Sequence, residues 1–318
     1  MANFLFSIEV TLPIFLVMFI GWVLKQIGMF DDQFVSVANK FNYKVTLPVM
    51  LFCDISAVNI YECFDVKFVL FCAITSSICF WVIWGLAKLF IKDKSITGAF
   101  VQASFRSSAA VMGLAFISSI YGGETSAMGP LMIIGAVPLY NIYSVIVLTF
   151  EANEEGKKDI GKIKEACINI AKNPIILAIV LGIVVALLKI DFPKLADDTL
   201  SMIGRLATPM ALIALGAGFE GKKAVSKVIP TLWASMIKLV IQPLVFIPVA
   251  VWMGFSGEKL IAILIMVAAP TTPSCYIMAK NMNNDGVLTA STVVMTTLLA
   301  SVTLTAWIFV LRMCGLVG

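Results

Sequence analysis

Apolar runs of about twenty residues recur along almost the whole chain, parted by short polar gaps, and this pattern limits what the chain can fold into. A helix needs ~20 mostly apolar residues to cross a bilayer. Within lipid it satisfies its backbone N–H and C=O groups internally, which an open loop cannot do. Ten such segments can be drawn: Phe4–Leu24, Phe34–Ser56, Val66–Ile91, Ile96–Tyr121, Ser126–Phe150, Pro174–Leu188, Thr199–Phe219, Val225–Met253, Leu260–Met282 and Gly286–Met313. The pattern predicts an all-α integral membrane protein with ten transmembrane helices. Charged residues make up 13% of the chain, about half the density of a soluble domain. With 60% hydrophobic residues, this excludes a soluble enzyme, a disordered chain and a nucleic-acid partner. The bilayer is the expected environment.

The chain has no histidine, so the common Ser-His-Asp and Cys-His arrangements and histidine metal sites are absent. Its seven cysteines form no CxxC pair, and most lie in or beside apolar runs, where cysteine acts as a small hydrophobe. No paired carboxylates or nucleophile-base arrangement stand out. No enzyme activity, metal or cofactor is expected. The first segment has no basic residue before Lys25 and carries Glu9. It therefore reads as a retained span, since a signal peptide wants a basic start.

Loop charges set the orientation. Thirteen lysines (Lys25, Lys88, Lys92, Lys94, Lys157, Lys158, Lys162, Lys164, Lys172, Lys222, Lys223, Lys227 and Lys280) fall on one side, against five basic residues (Lys67, Lys189, Lys194, Lys259 and Arg312) on the other. The richer side is expected to be cytoplasmic, which puts both termini outside the cell membrane. The charge-dense stretch 151–173 carries Ile160, Ile163, Cys167 and Ile170 at helical spacing. A short interfacial helix is predicted there, serving at least as a linker between residues 1–150 and 174–318.

Those two halves match. Pro13 and Gly21 in span 1 correspond to Pro174 and Gly182 in span 6, and Lys44 and Pro48 in span 2 to Arg205 and Pro209 in span 7. All four pairs share an offset of 161 residues. Five spans per half make the second repeat inverted relative to the first, a common plan of secondary transporters, which bind substrate near the midplane where interrupted helices meet. Span 9 carries Pro270, Thr271, Thr272, Pro273 and Ser274. Each proline removes an N–H and frees a carbonyl, so a broken helix is expected, and span 4 holds Arg106, Ser107 and Ser108 at the matching depth. The hydroxyls either patch the kinked backbone or also line a site.

Lys40, Lys44, Arg106, Arg205 and Lys238 fall inside spans, and no carboxylate lies as deep. Intramembrane charges normally face a cavity or a partner, so the interior favours an anion. Lys40 can snorkel to the surface. Lys44 and Arg205, with Pro48, Pro209 and Pro273, read as structural or gating residues as readily as substrate contacts. Arg106 is the best candidate for a carboxylate, which an Arg clamps through two hydrogen bonds.

Phe105–Leu114 in span 4, Pro138–Asn141 in span 5, Asn173–Ala178 with Gly182 in span 6, Thr208–Gly216 in span 7 and the run from Ala269 to Thr305 together resemble the auxin efflux carrier family, in its bacterial form. The resemblance implies two inverted five-helix repeats, similar to bile-acid symporters, with spans 4 and 9 crossing as broken helices. It further implies a scaffold of spans 1, 2, 6 and 7 beside a mobile transport domain of spans 3–5 and 8–10, moving organic acids by an elevator-like alternating access. Ser108 stands where the family commonly has a substrate-contacting Asn, and Ala115 where a proline is common. A small organic anion is thus the expected substrate. It would be held by Arg106, Ser107, Ser108 and Asn141 with Pro270, Thr271, Thr272 and Ser274. A sodium- or proton-coupled antiporter and a non-transporting sensor of organic anions stay open, as do cation coupling and a homodimer through the scaffold helices.

Overall fold

Side-chain caps mark where several helices begin. The computed structural model describes residues 2–57, 65–109, 128–152 and 167–317, and among these every regular element is helical. Asp31, Asp65, Asn173 and Asp285 each accept a hydrogen bond from a first-turn N–H at 2.6–3.0 Å, satisfying donors the helix leaves unpaired. The helices they open are α2 (Asp32–Phe41), α4 (Val66–Phe90), α7 (Pro174–Leu188) and α15 (Gly286–Met313). Before α2 comes α1 (Ala2–Gln26). Five helical stretches are long and apolar enough to span a bilayer: Val66–Phe90, Leu131–Phe150, Lys194–Ala217, Val228–Trp252 and Gly286–Met313. The chain is an all-α, multi-span membrane protein.

Prolines explain most of the interruptions. A proline cannot donate to the carbonyl four residues back, and its ring crowds that carbonyl. Pro48 lies at the start of α3 (Leu47–Ser56), and the chain before it widens into a π turn, Asn42–Thr46. Pro243 acts likewise on α11 (Val228–Met236), the π turn Ile237–Ile241 and α12 (Gln242–Trp252). The Leu239 carbonyl that Pro243 frees is taken by the Trp307 indole at 3.1 Å. Pro209 stands four residues after Arg205, where α8 (Lys194–Arg205) gives way to α9 (Ala207–Ala217). Asn42 of the first π turn donates to the Ala207 carbonyl at that junction, at 2.9 Å. By contrast, Pro13, Pro138 and Pro248 ride inside unbroken helices.

Glycines set the close crossings. A Cβ on Gly216 of α9 would lie 1.9 Å from the Met18 carbonyl oxygen of α1, and one on Gly21 would lie 2.4 Å from that of Ile213. At Gly182, α7 approaches Phe52 and Ile55 of α3, and Gly204 of α8 abuts the Met50 backbone. Small residues let membrane helices pack backbone to backbone. On the other side of the bundle Gly135 of α6 (Met128–Phe150) meets Val69 and Cys72 of α4. There Phe80 stacks on Tyr143 at 4.4 Å and packs edge-on against Phe105.

The centre is α13 (Gly257–Ala268), whose residues from Leu260 onward are all buried. This suits a helix that is apolar on every face. Helices α4, α6, α12 and α15 and the π turn Ile237–Ile241 pack against it, and α5 (Thr97–Phe105), α11 and α14 (Ser274–Asn281) pack in turn on these neighbours. The sequence boundaries need two corrections. The seventh segment starts earlier, at Lys194, and is split at Leu206. The polar start of the eighth is a separate short helix, α10 (Gly221–Ser226). Lys40, Lys44 and Arg205, expected among the deep charges, have exposed side chains, and so has Pro209, whereas Pro48 is buried. Gly113, Ala115, the later part of span 4, and Ile160 and Ile163 of the linker lie outside the described residues. Residues 167–171 are helical.

Candidate substrate site at the helix crossing

Two half-helices end at the same place. Helix α5 stops at Phe105, and Arg106 leaves it in an extended conformation (φ −76°, ψ 136°). Helix α13 stops at Ala268, and Ala269 is also extended (φ −66°, ψ 152°). Residues 269–272 then run outside any helix to Pro273, which precedes α14. The two breaks are bonded to each other: the Ser108 N–H donates to the Pro270 carbonyl at 2.9 Å. Pro270 and Pro273 account for the break after α13. The break after α5 has no proline, and the cross-chain bond from Ser108 takes the N–H that would have continued its ladder to Ser104.

Side chains take up the carbonyls this leaves free, as buried backbone groups require. Thr271 Oγ1 donates to Ala103 O at 2.7 Å, and Gln242 Nε2 to Ser104 O at 2.7 Å. Met266 O, the acceptor Pro270 cannot use, receives the Tyr140 hydroxyl at 3.1 Å and Lys238 Nζ at 3.3 Å. Ser107 Oγ reaches Ile265 O and Ala269 O at 3.4 and 3.5 Å. The Thr271 N–H donates to Thr296 Oγ1 of α15 at 3.1 Å, and Thr272 and Ser274 pair through their hydroxyls at 3.2 Å.

Arg106 is only 5% exposed. Its Nη2 donates to Asn141 Oδ1 of α6 at 2.7 Å, and its Nη1 meets the Met278 sulfur of α14 at 2.6 Å. Asn141 is oriented in turn by donating Nδ2 to Val137 O at 2.9 Å. Both partners of the guanidinium are neutral. Among the described residues no ion pair includes Arg106 or Lys238, the only buried charged side chains. A buried cation with neutral partners is chemically ready to accept a carboxylate through two parallel N–H···O bonds.

The structure therefore gathers Arg106, Ser107, Ser108, Asn141, Pro270, Thr271, Thr272, Pro273 and Ser274 around one crossing. Lys44 and Arg205 point to the surface instead. Sequence reasoning missed Tyr140, Gln242, Met278 and Thr296, and also Gln102, whose Nε2 meets the Met278 sulfur at 3.6 Å. Gln242 carried a usable signal, an amide at membrane depth four residues after Lys238. Met278 carried none, because a thioether in an apolar run reads as core.

A family model described as "Membrane transport protein" matches residues 6–308. The chain belongs to this membrane transport protein family. Two relatives match over nearly their whole length. "Uncharacterized transporter YfdV" of Escherichia coli (strain K12) is 24% identical over 312 residues, covering 97% of this chain and 98% of its own. An "Uncharacterized transporter" of Methanothermobacter thermautotrophicus is 20% identical over 309 residues, covering 97% and 99%. The crossing lies wholly within the family match.

Proposed function

We propose that the chain is a secondary transporter or facilitator that carries a small organic anion across the cytoplasmic membrane, with the anion's carboxylate on Arg106. One observation carries this reading: the Arg106 guanidinium is buried where two broken helices meet, and its partners among the described residues are the neutral Asn141 and Met278. Leaving a buried charge without an ionic partner is costly, and an anionic cargo would supply that partner. Ser107, Ser108, Thr272 and Ser274 would hydrogen-bond the rest of the polar cargo. Thr271, engaged with Ala103 and Thr296, would hold the site's shape. Pro270 and Pro273 would keep the helix open.

Alternating access would follow from two inverted repeats. The crossing of α1 with α9 at Gly21 and the crossing of α7 with α3 at Gly182 support that reading, since the offset of 161 residues exchanges the two pairs. These four helices would form the scaffold, against which the helices around α13 would shift as an elevator. Lys44 and Arg205 would serve at the scaffold's surface rather than on the cargo. The loop charges support a cytoplasmic linker and external termini, and the resemblance to auxin efflux carriers supports an organic acid as cargo.

The test is a screen of labelled organic acids in proteoliposomes, with and without sodium and proton gradients. Uptake of at least one carboxylate above protein-free vesicles is expected, and Arg106→Ala and Ser108→Ala should each reduce it at unchanged folded yield. Saturable binding without flux would point to a sensor, and cation exchange without any carboxylate to an antiporter. Either outcome would refute the proposal.

A further inference from the structure

Lys238 is the second buried charge, fully enclosed, and the proposed cargo contacts do not use it. It sits in the π turn Ile237–Ile241 and donates to Met266 O and to Gln242 Oε1, both at 3.3 Å. Gln242 is tied in turn to Ser104 O at 2.7 Å. The pair thus spans the junction. Lysine reaches the carbonyl freed at the end of α13, and glutamine the carbonyl freed at the end of α5.

Both of those ends are helix C-termini, and each carries roughly half a negative elementary charge. Two of them converging present about one negative charge in a region that excludes water. One ammonium balances that amount. A π turn is a frequent device at working sites, and here it places Lys238 and Gln242 on the same inward face.

We propose that Lys238 is a resident cation of the crossing, its tethered ammonium doing for the ends of α5 and α13 what a bound sodium ion would do, so that the fold needs no metal cation there. The inference rests on the backbone geometry of the junction and stands whatever cargo Arg106 takes. It makes Lys238 a positioning residue, which leaves Arg106 as the uncompensated buried charge among the described residues.

The experiment is thermal unfolding of the purified full chain in detergent, without organic anion, in sodium chloride and in choline chloride at matched ionic strength. The wild type should unfold at the same temperature in both. Lys238→Ser, which removes the ammonium and opens space, should unfold roughly 3–10 °C lower in choline chloride. It should recover part of that loss in sodium chloride or methylammonium chloride. Lys238→Met fills the space without the charge and should be destabilised in every salt. A wild type stabilised specifically by sodium would overturn the proposal. So would a Met variant as stable as wild type, or a Ser variant indifferent to both small cations. If neither variant accumulates, the wild-type comparison decides alone. Because no cargo is present, failure here is separable from failure of the organic-anion reading.

Discussion

Adding one methyl group at the crossing of α1 and α9 should loosen the whole bundle. In Gly216→Ala the new Cβ would lie 1.9 Å from the Met18 carbonyl oxygen, 2.7 Å from its carbon and 3.0 Å from its Cα. Real Cβ atoms essentially never approach closer than 3.0 Å, so the two backbones must separate by about 1.1 Å. No side chain can swing away, because the obstacle is backbone. Overpacking of this kind costs about 3 kcal/mol, and the helix propensity gained from Gly to Ala returns about 1 kcal/mol. The net loss of about 2 kcal/mol lowers the unfolding temperature by roughly 4–8 °C. Gly85→Ala is the control, since Gly85 lies on the exposed face of α4 with nothing within 4 Å. It gains the propensity without the clash. Both variants would be followed by thermal unfolding in detergent, with folded yield read by size-exclusion chromatography. A Gly216→Ala protein as stable as Gly85→Ala would refute the packing described for α1 and α9.

Thr271→Val keeps the shape of the side chain but strands the Ala103 carbonyl. It should cost about 1–3 kcal/mol in unfolding experiments, while Thr271→Ser stays close to wild type. Asn141→Asp puts a carboxylate where Asn141 Oδ1 now meets Arg106. Thermal stability should hold or rise while organic-anion uptake in proteoliposomes is lost, because the guanidinium would then be neutralised from within. At the loop before α4, the Lys259 ammonium bonded to Asp65 at 2.5 Å holds that carboxyl below its usual value of 3.8. A depressed folded-state value means the contribution is full above the unfolded value and fades as pH falls through the folded one. The difference in unfolding temperature between wild type and Asp65→Asn should therefore be constant above pH ~5 and vanish well below 3.8. A gap that widens with acid would contradict this.

Long apolar runs made most of the helices legible, and Pro174–Leu188 and Gly286–Met313 begin and end where the runs do. The break near Pro270 was legible for the same local reason, since two prolines in four residues cannot stay in one helix. The turn of α8 into α9 and both π turns were less visible. Pro48, Pro209 and Pro243 stand in the sequence beside Pro13, Pro138 and Pro248, which leave their helices unbroken. Tertiary partners decide the difference, as Asn42 does at Ala207 and Trp307 at Leu239. The end of α5 at Phe105 is of this kind as well, depending on a bond from Ser108 to a residue far along the chain. Deep charges were legible as a class. Arg106 stood out by its place beside the break, but that Lys238 is as deeply buried while Lys44 and Arg205 are exposed depends on the helix faces. Met278 and Gln102 had no signal of their own, since Met278 matters through the guanidinium set against its sulfur and Gln102 through its amide on the same sulfur.

The central claim is that the Arg106 guanidinium holds the anionic group of the cargo, and charge discrimination tests it most directly. Once the screen has found a transported acid, initial uptake of that acid and of its uncharged amide would be compared in proteoliposomes holding wild type or Arg106→Gln. A charge pair of this kind contributes about 3 kcal/mol or more when buried, so wild type should prefer the acid by at least about a hundredfold. Arg106→Gln should lose most of that preference while the amide is taken up as before. Unchanged preference for the acid in Arg106→Gln would contradict the account and place the anion elsewhere.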